Sequence, residues 1–201
     1  HNGILFLDEL PHFSKTSLEV LRQPLEDRSI VISRAKYTVE YPASFMLVAS
    51  MNPCPCCYYN HPTKECTCSA AAVHRYMAHI SGPLMDRIDL HIEVTPVALE
   101  ELSSDRVEES SATIRERVIR AREIQTARFE GIEGVHTNAM MNSRMVREDC
   151  PLDSAARTLL ERAMERLNLS ARAYDRIIKV ARTIADLAGE EQIAPAHIAE
   201  A

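Results

Sequence analysis

The chain opens with His1-Asn2-Gly3-Ile4-Leu5-Phe6-Leu7-Asp8-Glu9-Leu10. Four large apolar residues run without a break into two adjacent acidic residues. A continuous apolar run of this length is typical of a strand buried on both faces, as in a parallel sheet covered by helices. Open α/β sheets bind their ligands at the carboxyl ends of the strands. The sequence therefore predicts an α/β core with Asp8 and Glu9 at a functional strand end.

The two acidic residues suit the chemistry of nucleotide hydrolysis. Asp8 is predicted to hold Mg²⁺, because this cation prefers oxygen ligands and is usually shared with phosphates. Glu9 is predicted to orient or deprotonate a water that attacks a terminal phosphate. This is the Walker B arrangement of a nucleotide-driven motor. The alternative is a core strand that ends in a solvated acidic turn.

A phosphate-binding loop is missing from the sequence. The chain contains five glycines and no G-x-x-x-x-G-K-[ST] motif. We therefore expect the chain to be a piece of a longer protein, which carries that loop. We also expect the chain alone not to hydrolyse ATP.

Composition narrows the class of protein. The net charge of −6 argues against a chain that is basic throughout, although a local basic patch remains compatible with it. Five of the six cysteines lie between residues 54 and 68, which favours a metal site or free thiols over a disulfide framework. No apolar stretch approaches 18 residues and no signal-peptide pattern occurs, so we expect a cytoplasmic protein without a membrane span.

Residues 14–42 are predicted to form a short helix and a hairpin. Ser14 is a candidate N-cap for the helix. Residues 29–42 then read as two strands around a basic turn that includes Arg34 and Lys36. These cations either keep an ordinary edge strand soluble or contact a phosphate backbone.

Two further segments carry candidate site residues. Residues 43–53 read as a second buried strand that ends at Asn52, whose amide suits either a water or phosphate contact or a turn before proline. Arg87 lies between Asp86 and Asp89, and a strand with alternating apolar residues is predicted to follow it over residues 88–94. Arg87 is either paired with these acids or available to a neighbour's γ-phosphate as an arginine finger.

The cysteine-rich insertion, residues 53–69, offers a possible zinc site. Two cysteine pairs separated by a turn can surround a tetrahedral ion, and the best set is Cys54, Cys56, Cys66 and Cys68. Cys57 and His61 are alternative ligands. Reduced thiols packed in a loop are the competing interpretation.

The second part of the chain is predicted to be a helical bundle. We place the boundary so that residues 1–96 form the α/β part and residues 97–201 form the helical part. The first helix begins after Ser110 and carries an apolar seam. Two later helices are predicted after the caps Asp153 and Ser170, and the second of them runs to Ala188 and is followed by Gly189 as its C′ residue. A last helix is predicted from Pro195. The residues of the predicted seam are Ile114, Val118, Ala121 and Ile124.

In this order, the motifs resemble the magnesium-chelatase-like branch of the AAA+ ATPases, and within it the ComM-type competence helicases. The resemblance covers essentially the whole chain. ComM-type proteins carry a similar cysteine loop, usually with glycine in place of Cys57. The segments that carry the resemblance are residues 3–10, 50–56, 81–94 and 169–176.

The resemblance implies specific roles for several residues. Asp8 and Glu9 would form Walker B, with Glu9 as the catalytic glutamate, and Asn52 would be sensor 1. Arg87 would be the arginine finger, acting on ATP held by the adjacent subunit of a ring, expected to be a hexamer. Arg172 would be sensor 2, with Arg176 as an alternative one turn later. The hairpin with Arg34 and Lys36 corresponds to the pre-sensor-1 hairpin, which touches DNA in related helicases.

The function implied for the whole protein is an ATP- and Mg²⁺-dependent motor that moves DNA. Branch migration during uptake and integration of transforming DNA is the expected process. One alternative is a motor subunit for Mg²⁺ insertion into a porphyrin. A second is a zinc-stabilised nucleic-acid-binding module without motor activity.

Overall fold

A computed structural model of the protein describes residues 1–97 and 109–201. The chain divides into two compact units, residues 1–103 and residues 104–201. The predicted boundary at residues 96 and 97 adjoins residues 98–108, which lie outside the described part. Of the helices described, none is both long and apolar enough to cross a membrane.

The first unit combines strands and short helices. Strand β1 (Gly3–Leu7) pairs in parallel with β4 (Phe45–Ala49), and β2 (Ser29–Arg34) pairs antiparallel with β3 (Tyr37–Pro42). The elements are β1 (Gly3–Leu7), α1 (Lys15–Val20), α2 (Arg22–Asp27), β2 (Ser29–Arg34), β3 (Tyr37–Pro42), β4 (Phe45–Ala49), α3 (Ala70–Met77) and α4 (Gly82–Met85). The parallel pair confirms the predicted α/β core, and β2 and β3 confirm the predicted hairpin.

The buried core of this unit lies around α1 and α4. Leu10, Leu18, Ile80 and Leu84 are its buried residues. Local caps position both helices. The hydroxyl of Ser14 accepts a hydrogen bond from the Ser17 amide at 3.1 Å, and that of Ser81 accepts one from the Leu84 amide at 3.3 Å. The core therefore ties the segment after β1 to the segment that precedes Arg87.

Two predictions about this unit were wrong. Strands β1 and β4 are not buried on both faces, because Ile4 and Phe6 are 68% and 59% exposed. Their partners in the register, Met46 and Val48, share that face, and no described helix covers it. The strand predicted over residues 88–94 also does not form, since no strand lies beside this segment within residues 1–97. Leu90, Ile92 and Val94 are instead exposed.

The second unit is helical, as predicted. Its elements are α5 (Ser111–Arg128), α6 (Ser143–Asp149), α7 (Ser154–Leu167), α8 (Ala171–Ala188) and α9 (Pro195–Glu200). Ser110, Asp153 and Ser170 cap α5, α7 and α8 with their side chains. Gly189 ends α8 with a φ of 76°, a conformation that glycine adopts without strain.

The predicted apolar seam of α5 was largely wrong. Of its four residues, only Ala121 is buried, whereas Ile114, Val118 and Ile124 are between 37% and 45% exposed. The helix buries Gln125 as well, and the Gln125 side-chain oxygen accepts a hydrogen bond from the Asn138 amide at 3.1 Å. A polar contact thus replaces part of the expected apolar packing.

A buried ionic network links α5 and α8. The Asp186 side chain is fully buried and accepts two hydrogen bonds from Arg128, at 2.8 and 2.6 Å. It also accepts bonds from Asn138 at 2.7 Å and from Arg182 at 3.0 Å. Burial acts to raise the pKa of Asp186, but the bonds and charges of Arg128, Asn138 and Arg182 outweigh it and lower this pKa. The network therefore stabilises the ionised carboxylate in the core of the unit.

We expect Asp186→Asn to lower the free energy of unfolding of the chain by about 3 kcal/mol, because it leaves the buried Arg182 and the partly buried Arg128 without their counter-ion. Urea unfolding at pH 7 measures this change. Since the folded pKa is depressed, the stabilisation is present above the ordinary value of 3.8 and is lost as pH falls through the lower folded pKa. Glu148→Gln breaks a solvent-exposed pair with Arg144 and is the control, for which we expect almost no change in the free energy of unfolding. Equal losses for both variants would contradict this account.

Candidate functional site

The carboxyl ends of β1 and β4 lie side by side. The register pairs Leu7 with Ala49, so Asp8 and Ser50 are the first residues after their strands. Ser50 donates its amide hydrogen to the Leu7 carbonyl at 3.0 Å, and its hydroxyl donates a hydrogen bond to the Asp8 carboxylate. This contact orients Asp8 at the strand end. Ser50 was not identified from the sequence, although the strand-end reasoning applied to Asn52 would have included it.

Glu9 follows in a constrained backbone conformation. Its φ is 52°, in the left-handed region that non-glycine residues adopt at a cost of about 1 kcal/mol or more. Its amide faces the Asp8 carboxylate at 3.1 Å and the Ser50 hydroxyl at 3.3 Å. The Glu9 carboxylate lies 2.8 Å from Nδ1 of His12, and both side chains are more than half exposed. Glu9 therefore faces a solvent-accessible space, and its contact with His12 contributes little to stability.

Asn52 lies near the same strand ends and is half-buried. The hydroxyl of Tyr76 on α3 interacts with the Asn52 backbone amide. Burial raises the pKa of Tyr76, and the negative charge of Glu9 adds to this effect, while the Asn52 amide opposes it. Tyr76 is thus within electrostatic range of Glu9 and in contact with Asn52. The structure therefore gathers the end of β1 and the segment after β4 around one helix.

Arg87 follows α4 and is held against its own unit. Its side chain is 10% exposed, and Nη2 forms an ion pair with the Glu26 carboxylate on α2. Nη1 donates to the Pro83 carbonyl at 2.5 Å. The partners expected from the sequence were the neighbouring Asp86 and Asp89. Glu26 was missed because it lies 61 positions away in the sequence.

The cysteine-rich insertion brings four thiols together. The Sγ atoms of Cys54, Cys56, Cys66 and Cys68 all lie within 4.8 Å of one another. The Cys54–Cys56, Cys56–Cys66 and Cys54–Cys66 separations are 3.4, 3.5 and 3.8 Å. Four sulfurs around one tetrahedral zinc, with Zn–S bonds of about 2.3 Å, would be separated by about 3.8 Å. The donor set and spacing therefore fit a single zinc ion.

The electrostatics of the cluster favour a bound cation. The Tyr58 backbone amide donates to Cys56 and lowers the pKa of this thiol to about 5. The Cys68 backbone amide also acts to lower the pKa of Cys66, but burial and the neighbouring Cys56 and Cys54 raise it to about 12. A second thiolate is therefore disfavoured beside the first unless a cation is present. Metal binding removes this repulsion and deprotonates coordinating thiols.

The alternative ligands Cys57 and His61 are not part of this cluster. Cys57 is exposed with a φ of 68°, and its amide donates to the Cys54 carbonyl at 3.0 Å. Nδ1 of His61 accepts hydrogen bonds from the amides of Thr63 and Lys64, at 3.2 and 3.1 Å. Both residues shape the turn between the two cysteine pairs.

The hairpin presents its cations at the tip. Arg34 ends β2, Lys36 belongs to the turn, and both are exposed. A hydrogen bond of 3.0 Å between Ser33 and Thr38 joins the strands just below this turn. The tip also exposes Tyr37, which offers an aromatic surface beside the charges.

Arg172 lies in the first turn of α8, in the second unit. The side chain of Ser170 caps this helix, and Arg172 is exposed whereas Arg176 is half-buried.

Comparison with known proteins assigns both units to one family. Residues 1–102 match the family described as magnesium chelatase, subunit ChlI, and residues 108–201 match its C-terminal region. Competence protein ComM of Haemophilus influenzae is 47% identical over 202 residues, covering 100% of this chain and 38% of that protein. The uncharacterized protein YifB of Escherichia coli is 42% identical over the same shares of each chain.

A more distant relative agrees with these two. The uncharacterized protein Rv2897c of Mycobacterium tuberculosis is 40% identical over 189 residues, covering 94% of this chain and 37% of that protein. The chain thus spans less than two fifths of the length of these relatives. Family models match nearly all of it, and the similarity to the relatives extends through both units. The chain therefore belongs to the magnesium-chelatase-like family of AAA+ proteins, in its ComM-type group.

Proposed function

We propose that this chain is part of an ATP-driven AAA+ motor that moves DNA, acting as a branch-migration helicase in natural transformation or recombination. The observation that carries the proposal is the acidic pair Asp8 and Glu9 at the carboxyl end of β1, beside the segment that contains Asn52. Membership of a AAA+ family supports ATP hydrolysis. The name of the Haemophilus relative, competence protein ComM, supports a role in DNA uptake. We place the motor in the cytoplasm.

Asp8, Glu9 and Asn52 would each have a different role in ATP hydrolysis. Asp8, oriented by Ser50, would offer a carboxylate oxygen to a Mg²⁺ ion that neutralises charge on the phosphates when ATP is bound. Glu9 would orient an attacking water and accept its proton, and the Asn52 amide would help to align that water. Giving up the exposed contact with His12 costs Glu9 little.

Two arginines that lie outside the ends of β1 and β4 would complete the catalytic site. Arg87 would act on ATP held by the adjacent subunit. Arg172, with Arg176 as the alternative one turn later, would reach the γ-phosphate from the helical unit. An arginine that acts between subunits requires a ring, which we propose to be a hexamer. An arginine finger typically accelerates phosphoryl transfer about 10³-fold or more.

The hairpin is the proposed DNA contact. Arg34 and Lys36 at its exposed tip can pair with phosphates, and Tyr37 can stack on an unpaired base. Because the whole chain carries a net charge of −6, a local patch of this kind would direct DNA to one place on the protein.

The cysteine cluster is the proposed zinc site. Cys54, Cys56, Cys66 and Cys68 would hold a structural Zn²⁺ that fixes the loop between β4 and α3. Four protein thiolates leave no open coordination position, so the ion would have a structural role rather than a catalytic one.

Two other functions have specific support. The matched family is described as magnesium chelatase, which favours a motor subunit for Mg²⁺ insertion into a porphyrin. The four clustered thiols also suit a zinc-stabilised nucleic-acid-binding module without motor activity. The DNA motor is preferred because it gives a role to Asp8, Glu9 and the basic hairpin together.

The motor is tested by ATP hydrolysis in the full-length protein. We expect branched or single-stranded DNA to raise the rate of phosphate release. Glu9→Gln, which keeps the shape of the side chain but removes the base, should lower this rate by about 100-fold or more. Glu161→Gln, on the exposed surface of α7, is the matched control and should retain the wild-type rate.

Two results would contradict the motor. Stimulation by a porphyrin-chelatase partner, without a response to DNA, would favour the chelatase function. A wild-type rate of ATP hydrolysis in the Glu9→Gln variant would show that Glu9 is not the catalytic base.

Zinc is tested by metal analysis of the chain purified after growth with sufficient metal. We expect about one zinc per chain, lost in Cys66→Ser but retained in Cys57→Ser, because Cys57 lies outside the four-thiol cluster. Removing the metal with a chelator should lower the melting temperature of the wild-type chain, since the energy of metal binding contributes to folding. Less than roughly 0.2 equivalents in the wild-type chain would reject the site.

A further inference from the structure

Two of the three nitrogens of the Arg87 guanidinium group contact oxygen atoms of their own unit. Nη1 donates to the Pro83 carbonyl, Nη2 pairs with Glu26, and Nε is buried without a hydrogen-bond partner among the described residues. Only a tenth of the side chain is exposed. An arginine that reaches a neighbour's phosphate has to present free N–H donors at the surface of its own subunit. The conformation described is therefore a retracted one.

An apolar core lies next to the Arg87–Glu26 ion pair and fixes the segments that carry the two residues. Arg87 follows α4, whose Leu84 is fully buried in the core with Leu18 of α1. Glu26 lies near the end of α2, which directly follows α1. The α1–α2 segment and α4 are thus packed together through an apolar cluster, and the ion pair closes the contact at its edge. Movement of the Arg87 side chain alone can break the pair without disturbing this core.

Glu26 and a nucleotide phosphate offer Arg87 the same chemistry. Both present anionic oxygens to one guanidinium, so they compete for the same donors. Glu26 is itself 38% exposed, which leaves the pair accessible to water and weakens it relative to a fully buried one. The Arg87–Glu26 ion pair is therefore weak enough for a phosphate of a neighbouring subunit's ATP to replace Glu26.

We propose that Glu26 is an autoinhibitory latch that holds Arg87 against its own subunit until the phosphates of a neighbour's ATP displace it. The inference rests on the proposed role of Arg87 as an arginine finger. Glu26 is a positioning residue in this scheme, because it acts only through Arg87. The latch lowers the fraction of subunits that are ready to act, and thereby raises the protein concentration at which the ring becomes active.

The test is the ATPase activity of the full-length protein as a function of protein concentration. Glu26→Gln removes the charge that retains Arg87, and we expect half-maximal activity at a protein concentration about three- to tenfold lower than in the wild type. Asp27→Asn, the next residue on α2, makes the same change of charge at an exposed position and should leave the curve unchanged. An unchanged curve or a shift to higher concentration for Glu26→Gln would overturn the latch.

Further variants separate the latch from the finger. In an Arg87→Ala background, Glu26→Gln should leave the residual ATPase activity unchanged, because the latch acts through Arg87. If Arg87→Ala alone keeps full activity, the finger role proposed above fails and the latch fails with it. If Arg87→Ala is inactive but Glu26→Gln leaves the curve unchanged, only the latch fails.

A shorter acidic residue covers the case in which Glu26→Gln does not fold. Glu26→Asp keeps the charge but shortens the reach to Arg87, so it should shift the curve in the same direction by a smaller factor. Circular dichroism melting of each variant identifies loss of folding. A folded Glu26→Asp protein with the wild-type curve would overturn the proposal in that case.

Discussion

The parallel pairing of β1 with β4 is the constraint on which the proposed chemistry depends. Its register makes Asp8 and Ser50 the first residues beyond their strands, and the Ser50 hydroxyl then orients the Asp8 carboxylate. A shift of one residue would turn every side chain to the opposite face of the sheet and separate these two groups. The hydroxyl of Tyr76 on α3 interacts with the Asn52 backbone amide beside these strand ends, and the charge of Glu9 contributes to the raised pKa of Tyr76. One backbone pairing thereby assembles an acidic site from residues more than 40 positions apart.

The first unit arranges its functional groups around this pairing. The cysteine-rich insertion begins directly after Asn52 and ends at the start of α3, so a zinc ion held there would restrain both ends of the segment. The apolar cluster that contains Leu18 and Leu84 fixes the segment that carries Arg87. Structural restraint of this kind matters because catalysis of phosphoryl transfer consists almost entirely of positioning and electrostatic stabilisation.

Features that depend on local sequence could be predicted, and features that depend on distant contacts could not. The caps at Ser14, Asp153 and Ser170 and the turn at Gly189 are set within a few residues, and the structure contains all of them. Cysteine spacing likewise identified the four thiols that the structure brings together. The contacts of Asp8 with Ser50 and of Arg87 with Glu26 were missed, because no local pattern reports a pairing across 42 or 61 positions. The spacing of the apolar residues also failed to predict the buried face of α5. This spacing cannot indicate that a polar residue of the helix, Gln125, is buried by a hydrogen bond with Asn138.

The central claim is that Asp8 holds the metal of a bound nucleotide, and the most direct measurement is the Mg²⁺ dependence of ATP binding to the full-length protein. Titration calorimetry with and without Mg²⁺ gives this dependence for the wild type, for Asp8→Asn and for the exposed control Asp27→Asn. The account predicts that Mg²⁺ strengthens ATP binding by the wild type and the control, and that Asp8→Asn loses most of this gain. An undiminished Mg²⁺ effect in Asp8→Asn would contradict the account.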